Sequence, residues 1–209
     1  RHRAGPKSTP TYADGRLFAH GMNGNVTAFD ADSGRQLWNV PGTGVIPLFH
    51  TSMSPLVDGN LVVVHAGGHD DGALTAFDVA TGAARWSWDG DGPAYGSPMA
   101  FEFDGVKQVV VFSQEHFVGL SLETGALLWS RPFTTQATTT SQTPILYNNM
   151  VIQSGRGNGV TAFRVTQGSS GWSTEDVWST DEVSLHMVNG VVHENVLFGM
   201  SHLNSGQYF

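Results

Sequence analysis

The sequence predicts an all-β chain, a β-propeller of four-stranded antiparallel blades. One hairpin motif is written four times, a Ser/Thr-Pro landmark precedes each copy, and no stretch shows the 3.6-residue apolar period of a helix. The prolines stand at positions 10, 55, 98 and 144 and the motif glycines at 34, 82, 125 and 168. Both landmarks therefore share a period of about 45 residues, the length of one blade.

The first copy, Ala28 to Trp38, reads A-F-D-A-D-S-G-R-Q-L-W. Val26 to Phe29 and Arg35 to Trp38 alternate as half-buried strands do, and Asp-Ser-Gly between them supplies side-chain acceptors and a glycine for the turn. Ala28 leaves room and Trp38 is large enough to fill such room in an adjacent unit. The second copy, Ala76 to Trp86, repeats Ala76, Asp78, Gly82 and Trp86 at the same places as Ala28, Asp30, Gly34 and Trp38. The third, Gly119 to Trp129, keeps Gly125 and Trp129 but has Ser121 in place of Asp. The fourth, Ala162 to Trp172, keeps Gly168 and has Arg164 in place of Asp. Its insertion, Gly168 to Glu175, leaves open whether Trp172 or Trp178 is the docking indole.

Ahead of each motif lies a first hairpin. Thr9-Pro10 leads into Thr11-Tyr12-Ala13, a turn at Asp14-Gly15 and Arg16 to His20; Ser54-Pro55 repeats the pattern through Asp58-Gly59 to Val64. Ser97-Pro98 and Thr143-Pro144 open two more, and proline is tolerated where a strand begins because no ladder donor is needed there. In a fifth unit Met187-Val188-Asn189 stands where the landmark belongs, before Val191-Val192 and Val196-Leu197-Phe198. The blade-like units are 8–40, 53–90, 96–131 and 142–178, with an incomplete unit at 185–209, in one partial propeller domain. Four to five blades of an expected eight would leave sheet faces and edges uncovered, so the chain is expected to be an excerpt of a longer one.

With a formal net charge of -8 and only 10 Lys plus Arg, the sequence has no basic patch able to neutralise phosphates, which excludes nucleic acid as a partner. Its 26 glycines suit many short strands and tight turns, and no apolar run reaches the roughly 18 residues of a membrane span. Cysteine is absent, so disulfide staples and thiolate metal sites are excluded. A secretory signal is not present within the given residues and is expected outside them.

The spacing A-x-D-x-x-[ST]-G-x-x-x-W at 28–38 and 76–86 resembles the pyrroloquinoline-quinone-like (PQQ-like) repeat, and the resemblance runs from Ser8 to about Phe198. That repeat builds the blades of quinoprotein dehydrogenases and of outer-membrane assembly factor lipoproteins. The resemblance implies an eight-bladed ring and a periplasmic or extracellular location. In the dehydrogenases it also implies a central PQQ between a tryptophan floor and a vicinal cysteine pair, with calcium held by Glu, Asn and Asp. This chain has no cysteine and offers no matching calcium set, so no cofactor is assignable.

Two loops carry candidate ligands. His65-Ala66-Gly67-Gly68-His69-Asp70-Asp71-Gly72 places His65, His69, Asp70 and Asp71 together, nitrogen and oxygen donors of the kind that hold zinc or a similar ion. Asp89-Gly90-Asp91-Gly92 resembles part of a calcium loop but lacks its third carboxylate and distal Glu. Blade geometry puts both on one face of the ring, with His50-Thr51-Ser52, Glu115-His116, Thr134 to Thr143 and Ser184-Leu185-His186. No G-x-S-x-G elbow marks a nucleophile. The expected function is a non-catalytic scaffold binding a protein or small ligand at that face. The alternative is a PQQ- and calcium-dependent quinoprotein dehydrogenase of alcohols or sugars whose cofactor residues lie mostly outside this chain.

Overall fold

The computed structural model describes residues 7–201 and 206–209. Four successive four-stranded antiparallel sheets follow the sequence order. The first holds β1 (Thr11–Ala13), β2 (Arg16–His20), β3 (Val26–Asp30) and β4 (Gln36–Val40); the second β5 (Leu56–Asp58), β6 (Leu61–Gly68), β7 (Asp71–Asp78) and β8 (Ala84–Trp88). The third holds β9 (Met99–Phe103), β10 (Val106–Phe112), β11 (His116–Ser121) and β12 (Leu127–Pro132); the fourth β13 (Ile145–Tyr147), β14 (Met150–Ser154), β15 (Val160–Gly168) and β16 (Gly171–Thr180). A fifth sheet begins with β17 (Val191–His193) and β18 (Val196–Phe198), and residues 207–209 return beside 199–201 through backbone hydrogen bonds. Of the fifth predicted unit, residues 202–205 lie outside the described residues.

The core is a set of seams between sheets. Phe18, Val26, Ala28 and Trp38 pack with Val62, Val64, Phe77 and Val79 of the second sheet. Leu61, Val63, Leu74 and Ala76 of the second pack with Val109, Val111, Val118 and Leu120 of the third. Phe112, Phe117 and Trp129 of the third pack with Val151, Phe163 and Val165 of the fourth. β6 and β10 thus bury one face against the preceding sheet and the other against the following one, which explains their continuous Val-rich runs.

The motif works as its spelling predicts. Asp30 Oδ1 accepts from the Ser33 N–H at 2.8 Å, and Asp78 Oδ1 accepts from the Thr81 N–H at 3.0 Å; in the third copy the Ser121 hydroxyl takes that place for the Thr124 N–H. The turn glycines Gly34, Gly82 and Gly125 have φ of 71°, 72° and 73°, a region only glycine occupies without strain. A bulge follows Ala28, Ala76, Gly119 and Ala162, and each of these small residues lies directly opposite a tryptophan: Trp38, Trp86, Trp129 and Trp178.

The fourth hairpin corrects the sequence reading. Gly168 is not a motif turn glycine: it pairs with Gly171 at the tip of a ladder that continues well past the bulge, and its φ is not positive. By register Trp178, opposite Ala162, is the counterpart of the other motif indoles but stays exposed, whereas Trp172 lies opposite Gln167 and packs against the core of the third sheet. The long hairpin reaches back over its predecessor, where the Gln167 N–H donates to Asp104 Oδ2 at 2.8 Å. Arg131 adds hydrogen bonds to Thr174 and Asp176, and its guanidinium lies 4.3 Å from the centre of the Phe163 ring.

The Ser/Thr of the landmark joins neighbouring sheets. The Ser54 hydroxyl accepts from the Thr9 N–H at 3.0 Å, and the Ser97 hydroxyl from the Ser54 N–H at 2.9 Å. At the last seam Asn189 Oδ1 accepts from the Thr143 N–H at 2.8 Å, so the residue that breaks the pattern preserves the bond.

Candidate functional site

The second-to-third strand turns and the sheet-to-sheet crossovers meet on one face, and their side chains bind one another there. Its centre is Asp91, in the crossover from β8 to β9. Asp91 Oδ2 accepts from the Ser113 hydroxyl at 2.6 Å, the Glu115 N–H at 2.8 Å and His116 Nδ1 at 3.0 Å. Burial pushes this carboxyl up, but the donors from Ser113, Glu115 and His116 outweigh it and hold the group below the usual range. The Asp91 carbonyl faces His65 Nε2 at 2.9 Å. A carbonyl only accepts, so Nε2 of His65 carries a proton. Burial lowers the His65 pKa to about 4, and that of buried His20 to about 4 as well.

A second set of contacts ties the second sheet to the crossovers around it. Gln114 Nε2 donates to Asp70 Oδ1 at 2.6 Å while its Oε1 accepts from the Asp70 N–H at 2.7 Å, a reciprocal amide clasp on a residue at positive φ. His69 Nε2 lies 3.2 Å from the Tyr95 hydroxyl and 3.1 Å from Thr138 Oγ1, and the Phe49 N–H donates to the same Tyr95 oxygen. His69 thereby joins three crossovers, those beginning after β4, β8 and β12.

The four proposed metal donors do not converge. His65 is a fully buried strand residue held by Asp91, His69 and Asp70 form the turn with separate partners, and Asp71 is exposed at the start of β7. Among the described residues no group of three His, Cys, Asp or Glu side chains could hold a metal ion. Of the other candidate segments, Glu115 and His116 join the Asp91 cluster and Thr138 joins His69, while Thr51 and Ser184 are buried among the crossovers.

The sequence reading missed Ser113, Gln114 and Tyr95. All three sit in turns or crossovers that the repeat period places on this face, and that position was their only signal.

Asp91, His116 and Ser113 include the residue types of a hydrolytic triad, yet the geometry differs from one. His116 Nδ1 meets the carboxylate, but the Ser113 hydroxyl also donates to that carboxylate and not to the imidazole. No imidazole is positioned to take the serine proton. The cluster fixes loops.

Beside the cluster lies an open cleft of about 420 Å³ lined by Asp70, Asp71, Asp89, Asp91 and Glu115 among glycines. It adjoins a second cleft of about 270 Å³ between the first and second sheets. A cleft of about 750 Å³ between Asp58 and Glu123 opens at the opposite turns, away from these groups.

A family model described as outer membrane protein assembly factor BamB matches residues 1–205. The outer membrane protein assembly factor BamB of Escherichia coli (strain K12) is 26% identical over 202 residues, covering 90% of this chain and 49% of the relative. The chain thus spans about half the length of the curated relatives it matches. The crystal structure of BamB from Moraxella catarrhalis superposes with a TM-score of 0.70 at 16% identity, over 97% of this chain and 60% of that one. Quinohemoprotein alcohol dehydrogenase from Comamonas testosteroni superposes at 0.60 with 15% identity, over 95% and 40%. At these identities the two structures show the shared propeller fold and nothing finer.

Proposed function

Since the chain belongs to the family of outer membrane protein assembly factor BamB, we propose that it is a non-catalytic interaction scaffold whose working surface is the crossover face centred on Asp91. One observation carries this reading: the polar side chains of that face are engaged with one another. Asp91 holds Ser113 and His116, Gln114 clasps Asp70, and His69 spans Tyr95 and Thr138. Such mutual bracing gives loops a fixed shape at little further entropic cost on binding, which favours recognition.

The relatives' name associates them with outer-membrane assembly, and the partner of this protein is accordingly expected to be another protein, with the chain exported to the periplasm or cell surface. No helix among the described residues is long and apolar enough to cross a membrane. The deciding experiment incubates the full-length protein with PQQ and calcium and measures dye reduction with alcohols and sugars. Background rates are expected. Sustained turnover would establish the quinoprotein alternative and overturn the scaffold.

A further inference from the structure

Deepening the scaffold reading on which it rests, we infer that the two adjoining clefts form one composite groove for an extended segment of a partner protein carrying an aliphatic side chain next to a lysine or arginine. The smaller cleft has an apolar floor: Val26 and Val40 of the first sheet face Val64, Ala66, Ala73 and Phe77 of the second. Its end is marked by Asp71, Gly72 and Asp89, which also line the larger cleft. Beyond them Asp70, Asp91 and Glu115 extend the carboxylate wall, and neither cleft is lined by a lysine or arginine.

The carboxylates are not equivalent. Asp91 and Asp70 are held by Ser113, His116 and Gln114. Asp71, Asp89 and Glu115 are exposed, and none of them belongs to an ion pair among the described residues. Three negative side chains without a protein cation, at the mouth of an apolar trough in a chain of net charge -8, specify a basic partner. The trough specifies what stands beside that charge: space for a branched aliphatic side chain on an apolar floor. Gly72 sits at the junction packed against the next crossover: a Cβ there would come within 2.4 Å of the Pro93 ring, so only glycine lets the turn approach so closely.

The test is fluorescence anisotropy on the full chain with three labelled peptides of equal length: one alternating Leu and Lys, one alternating Leu and Glu, and one alternating Ser and Lys. The Leu-Lys peptide is expected to bind, with the other two weaker by about tenfold or more. The double substitution D71N/D89N alters two exposed, unpaired side chains and is expected to leave the thermal midpoint unchanged while weakening Leu-Lys binding by about fivefold. Filling the floor with Ala73→Leu is expected to do the same without changing the salt dependence. Equal binding of Leu-Lys and Ser-Lys peptides, equal binding of the Leu-Glu peptide, no binding at all, or an unaffected D71N/D89N protein would each overturn the groove. None of those results would produce quinone-dependent turnover, so the groove can fail while the scaffold reading stands.

Discussion

The Trp38 indole N–H donates to the Val79 carbonyl of the next sheet at 3.0 Å, and Trp86 repeats the bond one sheet on, to Leu122 at 2.9 Å. In both seams the indole lies against the following motif glycine: a Cβ on Gly82 would approach Trp38 to 2.8 Å, and one on Gly125 would approach Trp86 to 2.5 Å. Gly34 has the same φ but nothing within 4 Å of a Cβ. Gly34→Ala is therefore expected to cost about 1 kcal/mol, the strain of a left-handed alanine alone. Gly82→Ala adds displacement of the indole and is expected to cost about 3 kcal/mol. Thermal or urea denaturation of the two variants checks the difference, and equal losses would refute the docking account.

At the last seam, Asn189→Ala removes the acceptor of the Thr143 N–H, while Asn189→Ser restores the residue type used in the earlier landmarks. The alanine variant is expected to lose about 1 kcal/mol and the serine variant to regain part of it. Hydrogen exchange at the Thr143 amide reads the bond directly, with faster exchange expected in the alanine variant.

The third seam lacks the indole-to-carbonyl bond. Trp129 Nε1 instead donates to Gln108 Oε1 of its own sheet at 2.7 Å. The seam is closed by the long fourth hairpin, through Trp172, Arg131 and the Asp104 acceptor. Trp172→Ala is expected to cost about 3 kcal/mol, well above the cost of Trp178→Ala, whose side chain is 41% exposed. Denaturant midpoints of the two variants give the comparison.

Acid should weaken the protein through two buried imidazoles. Burial lowers His20 and His65 to about 4 from the ordinary 6.5, so the unfolded chain takes up these protons first. Their neutral forms support the fold fully above pH 6.5, and that support is lost as the pH falls through 6.5 towards 4, by up to about 3 kcal/mol each. His65→Gln is expected to flatten the pH dependence of the melting temperature in that window. An unchanged slope would show that His65 does not titrate with unfolding.

The fold was legible because a fixed period acts on it twice. Pro10, Pro55, Pro98 and Pro144 mark strand starts, and Gly34, Gly82 and Gly125 mark turns that tolerate no other residue cheaply. The same reliance on spacing misread Gly168, since a ladder that simply continues can place a glycine and Trp172 at motif distance by coincidence. Asn189 looked like a lost landmark because an amide oxygen and a hydroxyl share an acceptor role but not a letter. On the crossover face, the period located the surface but not its bonds. Gln114 and Asp70 meet across two sheets, and Asp91 reaches Ser113 and His116 from another crossover. Such pairings follow from how turns converge in space, which no local pattern encodes. His65, His69, Asp70 and Asp71 do not converge for the same reason: neighbours in sequence turn towards different surroundings.

The indole bonds of the first two seams run one way, from each sheet to its successor. During synthesis the donor therefore emerges before the carbonyl that receives it, and Trp38 must wait for some forty further residues to leave the ribosome. A nascent chain halted between those points would present a bare tryptophan to chaperones, and one halted just after would not. Arrest at successive lengths, read by indole fluorescence, should show emission shifting in steps, one for each seam completed.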